Sequence, residues 1–392
     1  MLSIIHRARK SLTRATLALG VLALAACQPV TLGSNQGPAI DTSAPIPVAL
    51  LVPAGSGQAG DELLARSLQN AARLAMTDLG SVKIDLRVYN TAGQPGQAQS
   101  MAIRAADEGA KIILGPVFAQ EANAVGVAMA ARGLNVLSFS NNTDIAGGNV
   151  FVLGPTFQNT ANRLASYAVR QGKRRIMIIN DRNTAGEQGR AAIQRGVANA
   201  GGSVVATVGY EFSQNGIVQA APVIAEQVRS SGAEALFLTA DTAGALPLLT
   251  QMLRDNRIDP SVAQFIGLTR WDIPAATLAL PGTQGGWFAL SDPGLYQQYQ
   301  ARYQTAFGES PHPISGLAYD GIAAIGALVK QGKSNALTGA ALTQGSGFVG
   351  VNGIFRLRGD GTNERGLAVA QVRNNQVVVI DAAPRSFGGA GF

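Results

Sequence analysis

The chain has 392 residues, 46% of them hydrophobic and 14% charged, with 47 Gly and 17 Pro; that balance excludes disordered and collagen-like architectures and supports more than one apolar core. One Cys excludes an intramolecular disulfide and any Cys-based zinc site, and two His remove most His-dependent catalysis. The formal net charge is +7, yet Arg7, Arg9, Lys10 and Arg14 precede Cys27 with no acidic residue among them, and without those four the 31 basic residues fall to 27 against 24 acidic. No Lys/Arg run is interleaved with aromatics, so nucleic acid is not an expected partner.

In chain order, residues 1–26 are a basic stretch followed by an apolar run from Ala15 to Ala26. Twelve apolar residues are too few to span a hydrocarbon core that needs about 20, and the pattern is that of a signal peptide. Its end, Leu24-Ala25-Ala26-Cys27, resembles the lipobox of bacterial lipoproteins, which implies cleavage before Cys27 and lipidation of that residue. Acyl chains contribute about 0.8 kcal/mol per buried methylene, so the expected anchor is permanent. Gln28 after the Cys resembles the pattern of lipoproteins sent to the outer membrane, placing the chain in the periplasm on a membrane anchor. Residues 27–45, rich in Gly, Pro, Ser and Thr, read as a lipidated flexible tether.

From Ile46 onward short apolar runs alternate with amphipathic stretches, the signature of parallel sheets with crossover helices. Strands are expected at 48–52, 84–89, 112–114, 136–139, 176–179, 204–208, 235–238, 265–267 and 287–290. Helices are expected at 61–78, 97–108, 120–131, 159–171, 187–200, 220–230, 244–255, 295–307 and 315–330. In the first helix Leu64, Leu68, Ala71, Ala75 and Leu79 fall on one face. A hairpin of 367–372 and 377–380 turns at Asn374-Asn375. The two halves open alike, strand, helix, strand, helix, without a sequence repeat.

Gly55-Ser56-Gly57-Gln58-Ala59-Gly60 fits G-x-G-x-x-G between a strand and a helix, but the next strand ends at Tyr89-Asn90 with no carboxylate for a ribose hydroxyl. The loop reads instead as backbone N–H groups facing a cleft, with no cofactor. No P-loop, G-x-S-x-G or H-E-x-x-H occurs, and His312, between Pro311 and Pro313, reads as a solvated loop residue. The chain is therefore expected to be no enzyme and to bind no metal. Polar residues recur after the strands, where open α/β sheets line their ligand crevice. They make the candidate ligand-binding set: Ser56, Gln58, Gln120, Ser140, Asn142, Asp181, Asp241 and Arg270.

The segments 46–53, 89–95, 109–116, 175–181 with Gly186, and Ala318-Tyr319-Asp320-Gly321 resemble, in order and spacing, the leucine/isoleucine/valine-binding protein family. The resemblance implies a two-lobed α/β type I periplasmic-binding-protein fold, each lobe a mostly parallel sheet flanked by helices, closing on its ligand by hinge motion. The expected layout is signal peptide 1–26, tether 27–45, first lobe 46–156, second lobe 157–285, first-lobe return 286–345, C-terminal strands completing the lobes 346–383, and tail 384–392. The implied function is capture of an amino-acid-like or other small polar solute for the membrane component of an ABC importer.

The family's amino-acid site transfers incompletely. The Ser that helps bind the ligand carboxylate aligns with Ala119, the aromatic before Gly186 with Ala185, and the acidic residue that holds the ammonium with Thr269, while Ser140 and Asn142 match the loop after the fourth strand. A zwitterion would lose charge-assisted bonds worth about 1.5 to 3 kcal/mol each. Gly115-Pro116, residues 135–138 and residues 152–155 also resemble an outer-membrane lipoprotein that activates a class A penicillin-binding protein, so regulation of peptidoglycan synthesis is the alternative reading.

Overall fold

The computed structural model describes residues 37–388. The signal peptide, Cys27 and most of the tether lie outside the described residues, and no helix among the described residues is long and apolar enough to cross a membrane.

Two sheets carry the architecture. The first has the order β2-β1-β3-β4-β5 and is wholly parallel. It is built from β1 (Ile46–Val52), β2 (Ile84–Asn90), β3 (Ile112–Leu114), β4 (Val136–Ser138) and β5 (Val150–Val152). The second has the order β15-β14-β10-β9-β8-β6-β7. Its parallel strands are β6 (Arg175–Asp181), β7 (Ser203–Tyr210), β8 (Ala235–Leu238), β9 (Gln264–Gly267) and β10 (Trp287–Leu290), and the antiparallel pair β14 (Ala368–Arg373) and β15 (Gln376–Asp381) extends one edge. Helices α1 (Ala59–Met76), α2 (Pro95–Asp107) and α3 (Ala119–Ala130) connect the first sheet. Helices α4 (Phe157–Arg170), α5 (Thr184–Asn199), α6 (Gln214–Ser231) and α7 (Leu246–Asp255) serve the second, and α8 (Pro293–Phe307), α9 (Gly316–Val329) and the short α10 (Gly339–Leu342) return to the first.

Each sheet is covered on both faces, which is why its strands read as continuous apolar runs. In the first lobe one core packs Val48, Leu50, Leu68 and Ala72 against Ile322, Ile325, Tyr299 and Tyr303, while Ala49, Leu51 and Ile113 face Ala98, Ala102 and Val125 on the other side. In the second lobe Met177, Leu236 and Phe265 face Ile224 and Leu249, and Ile176, Ile178 and Phe237 face Leu164 and Ile193. The chain crosses between lobes three times, after β5, after β10, and between β13 (Asn363–Arg365) and β14. A small antiparallel sheet, β11 (Phe348–Gly350), β12 (Gly353–Leu357) and β13, precedes the last crossing.

All nine expected strands and nine expected helices are present, and the Asn374-Asn375 turn takes positive φ at both residues, as a tight hairpin requires. Four details differ. Strand β5 is only three residues long and had not been expected. Helix α6 begins six residues early, capped by Ser213, whose Oγ accepts from Gly216 N at 3.0 Å; it continues through Pro222, which sits exposed where water can satisfy the freed carbonyl. Strand β10 belongs to the second sheet, so the return to the first lobe falls after Leu290 rather than at residue 286.

Fourth, the segment expected to be a free tether up to residue 45 is docked from Gly37 onward. The Ile40 side chain is buried in the first-lobe core, its N–H donates to Ser334 O at 2.9 Å, and Gly37 lies against the Leu337-Thr338 backbone. One apolar residue in a polar stretch suffices to hold it. The tail is tied similarly, with the Arg356 guanidinium 4.5 Å from the Phe387 ring centroid.

Candidate functional site

The hinge is built on buried charge. Arg365, its side chain 2% exposed, donates through Nη1 to Asp320 Oδ2 at 3.1 Å and through Nε to Leu153 O at 2.8 Å. Asp320, on α9 and fully buried, also accepts from Val351 N at 2.8 Å and from Asn352 Nδ2 at 3.0 Å. Asn363 Nδ2 donates to Val152 O and Gly154 O, both at 2.8 Å, and Arg163 ties α4 to Leu367 O at 2.6 Å and to Asp381 at 2.9 Å. The first and third crossings are thus stitched together by hydrogen bonds from buried side chains, though the Asn363 Oδ1 among them has no partner among the described residues.

Between the lobes, beside this hinge, lies a cavity of about 750 Å³. The second lobe contributes Arg270, Asp272 and Ile273 from the loop after β9, Leu290 at the end of β10, and Val377 and Val379 from β15. The first lobe contributes Tyr296, Gln297 and Gln300 from α8, and Ile314 and Leu317 at the start of α9. Its size is in the range of small-molecule sites, and its walls are apolar with a few polar groups, as such sites are. Arg270 grips Asp272 through Nε and Nη2 at 2.6 and 2.5 Å. Burial raises the Tyr296 hydroxyl above its ordinary value, with the nearby Arg270 charge pulling it down and Asp272 pushing it up; that hydroxyl makes no hydrogen bond among the described residues.

Of the eight candidate residues only Arg270 lines this cavity. Asp181 ends β6, 6% exposed, and it is already engaged: the Tyr210 hydroxyl donates to Oδ1, and Thr239 Oγ1 to Oδ2 at 3.4 Å. Burial raises its carboxyl above the usual range, the two hydroxyls counteract, and the Asp241 charge adds to the rise. The Tyr210 phenol is pushed well above its ordinary value by burial and by the same carboxylate.

Asp241 is exposed on the loop after β8. Ser140 and Asn142 hold their own loop, Ser140 Oγ accepting from Asn142 N at 3.1 Å and Asn142 Oδ1 from Asp144 N at 2.8 Å. Ser56 Oγ accepts from Gln58 N at 3.1 Å, Gln58 is the residue before α1, and Gln120 is exposed on α3. In that first loop the Gly55 N–H, expected to face a ligand, donates to Glu62 Oε1 at 2.6 Å. His312 is half-buried rather than solvated. Its backbone N–H donates to Ser67 Oγ at 2.8 Å, and burial lowers its imidazole below the ordinary value.

A direct bond also crosses the lobes away from the hinge: Gln188 Nε2 on α5 donates to Asp144 Oδ2 in the turn after β4, at 2.9 Å. No cluster of three or more metal-ligating side chains occurs among the described residues. The residues that the sequence reading missed are those of α8 and β15. Tyr296, Tyr299 and Tyr303 share one helix face, and the latter two are core; the sequence signal for Tyr296 was that it begins this stripe where the helix leaves the core.

A family model described as periplasmic binding protein matches residues 45–376. The chain belongs to the periplasmic binding protein family. That is a family of non-catalytic binders, and the two-lobed α/β type I fold is shared with solved structures. A putative branched-chain amino acid ABC transporter protein of Rhodospirillum rubrum is 18% identical with a TM-score of 0.72, covering 86% of this chain and 100% of that one. An ABC transporter substrate-binding protein of Desulfitobacterium hafniense, solved in complex with Leu, is 17% identical with a TM-score of 0.64 over 86% and 100%. A solute-binding protein of Rhodopseudomonas palustris, solved with 3,4-dihydroxybenzoic acid, is 18% identical with a TM-score of 0.57 over 87% and 98%. No curated protein matches the sequence.

Proposed function

We propose that this periplasmic binding protein captures a small polar solute between its lobes and presents it to the membrane component of an ABC importer. The observation that carries the reading is the cavity of about 750 Å³ walled from both lobes beside a three-strand hinge. A site shared by two bodies rewards their closure with binding energy, and closure is the signal a transporter can read. The names of the similar structures, which include ABC transporter proteins holding leucine or an aromatic acid, agree with it. The lipobox-like Leu24-Ala25-Ala26-Cys27 supports a lipid anchor at Cys27, and Gln28 an outer-membrane destination in the periplasm.

Thermal unfolding of the purified chain against amino acids, small peptides, carboxylic acids and muropeptides tests the proposal. A solute at a hundred times its dissociation constant adds about 2.7 kcal/mol, and one chemical class is expected to raise the midpoint by several degrees. No shift from any class would contradict solute capture and direct the next assay to a class A penicillin-binding protein.

A further inference from the structure

Within that reading, the charges of the cavity define the solute more narrowly. The lining carries one carboxylate, Asp272, and both of its oxygens accept from Arg270. An ammonium placed against Asp272 would meet the guanidinium at the same moment. The other nearby carboxylate, Asp320, is fully buried behind Arg365 and already holds four hydrogen-bond donors. Around the cleft, Asp181 is held by Tyr210 and Thr239, and Asp144 by Gln188.

A guanidinium has five N–H donors, and Asp272 takes two of those on Arg270. The side chain is 39% exposed against 15% for Asp272, so the cation is the more open member of the pair. From the other lobe Tyr296 lines the same cavity, within electrostatic reach of Arg270, and its hydroxyl has no protein partner among the described residues. Most of the remaining wall is apolar, Leu290, Leu317 and Val379 among it, and its other polar groups are neutral, as Gln297, Gln300 and Asn352 are, apart from the second guanidinium, Arg365.

We infer that the solute is a monocarboxylate with an apolar body and no free ammonium group, its carboxylate set between the open edge of Arg270 and the Tyr296 hydroxyl. The guanidinium supplies a charge-assisted donor and the phenol a second, one from each lobe, so the anion itself bridges the closed arrangement. A zwitterion of the same skeleton would bring its ammonium into a cavity that already holds two guanidinium groups, Arg270 and Arg365, and has no uncommitted carboxylate in its lining to receive it.

The test rests on solute capture and separates its failure from that of the inference. The full chain is titrated calorimetrically with 4-methylpentanoate, leucine and 4-methylpentanamide, which share one skeleton and differ in charge, and with benzoate, lysine and glucose as unrelated bodies. At least one monocarboxylate is expected to bind, at least tenfold more tightly than leucine or the amide. Arg270→Gln is expected to weaken it at least tenfold, and Tyr296→Phe by several-fold, with unfolding midpoints recorded to show that both variants fold. Leucine, lysine, glucose or the amide binding as well as or better than the carboxylates overturns the inference while leaving solute capture standing, and so does a carboxylate indifferent to Arg270→Gln. Binding by none of the probes overturns the inference and counts against solute capture as well, which then stands or falls with the wider unfolding panel.

Discussion

At the residue scale, the groups that hold the hinge are buried ions whose partners are distant in sequence. Removing one member of such a pair strands the other, at about 3 to 5 kcal/mol, so Asp320→Ala is expected to lower the urea midpoint sharply, whereas Asp320→Leu with Arg365→Met should regain most of the loss. Glu121 makes a prediction about pH. It is 1% exposed with one carboxylate oxygen unpaired, and burial raises its carboxyl above the ordinary 4.5. Protonation is then easier in the folded than in the unfolded state, so the stability it contributes is complete below 4.5 and drains away as pH rises through the raised value. Glu121→Gln should therefore gain stability relative to the parent at pH 7.5 and lose that advantage at pH 4, as read by urea unfolding. Neither role was legible in the sequence. In the sequence Asp320 appears only within the family-like Ala318-Gly321 segment, with no sign of an ion pair, because Arg365 reaches it only after a hairpin and a loop have closed.

At the element scale, the apolar runs and helical periods predicted the sheets and helices well, because both lobes bury their strands on two faces and so write the pattern strongly. What escaped was short or interrupted: β5, three residues at a sheet edge, and the start of α6, masked by Pro222. The interlocking of elements was also invisible. A Cβ on Gly186 would lie 2.1 Å from the Asp181 carbonyl oxygen, so Gly186→Ala must push α5 off β6 and is expected to cost about 1 to 3 kcal/mol in a denaturant titration. Gly60, in the first turn of α1, has open space around the same position. There Ala replaces a residue that loses more chain entropy on folding, and Gly60→Ala is expected to stabilise by up to about 1 kcal/mol. Opposite signs at two helix-start glycines would distinguish close packing from mere helix propensity.

At the scale of the whole molecule, seven of the eight residues selected by the strand-end rule lie outside the lining of the inter-lobe cavity. The loops fold polar residues back on themselves, as Ser140 and Asn142 do, and the cavity draws instead on α8 and β15, whose nearness to Arg270 is a product of the second and third chain crossings. Sequence order holds no record of that. The cross-lobe bond of Gln188 to Asp144 is worth little to folding by itself, and Gln188→Ala is expected to change the unfolding midpoint by no more than a degree or two while weakening solute affinity several-fold. The central claim is that one solute is held by both lobes at once. Its most direct test is calorimetric titration of the best binder into the parent chain and two variants, Ile273→Asp in the second lobe and Tyr296→Phe in the first. Loss of affinity in both, by about tenfold or more in the first and several-fold in the second, is the predicted result; affinity unchanged in either variant would contradict a site shared between the lobes.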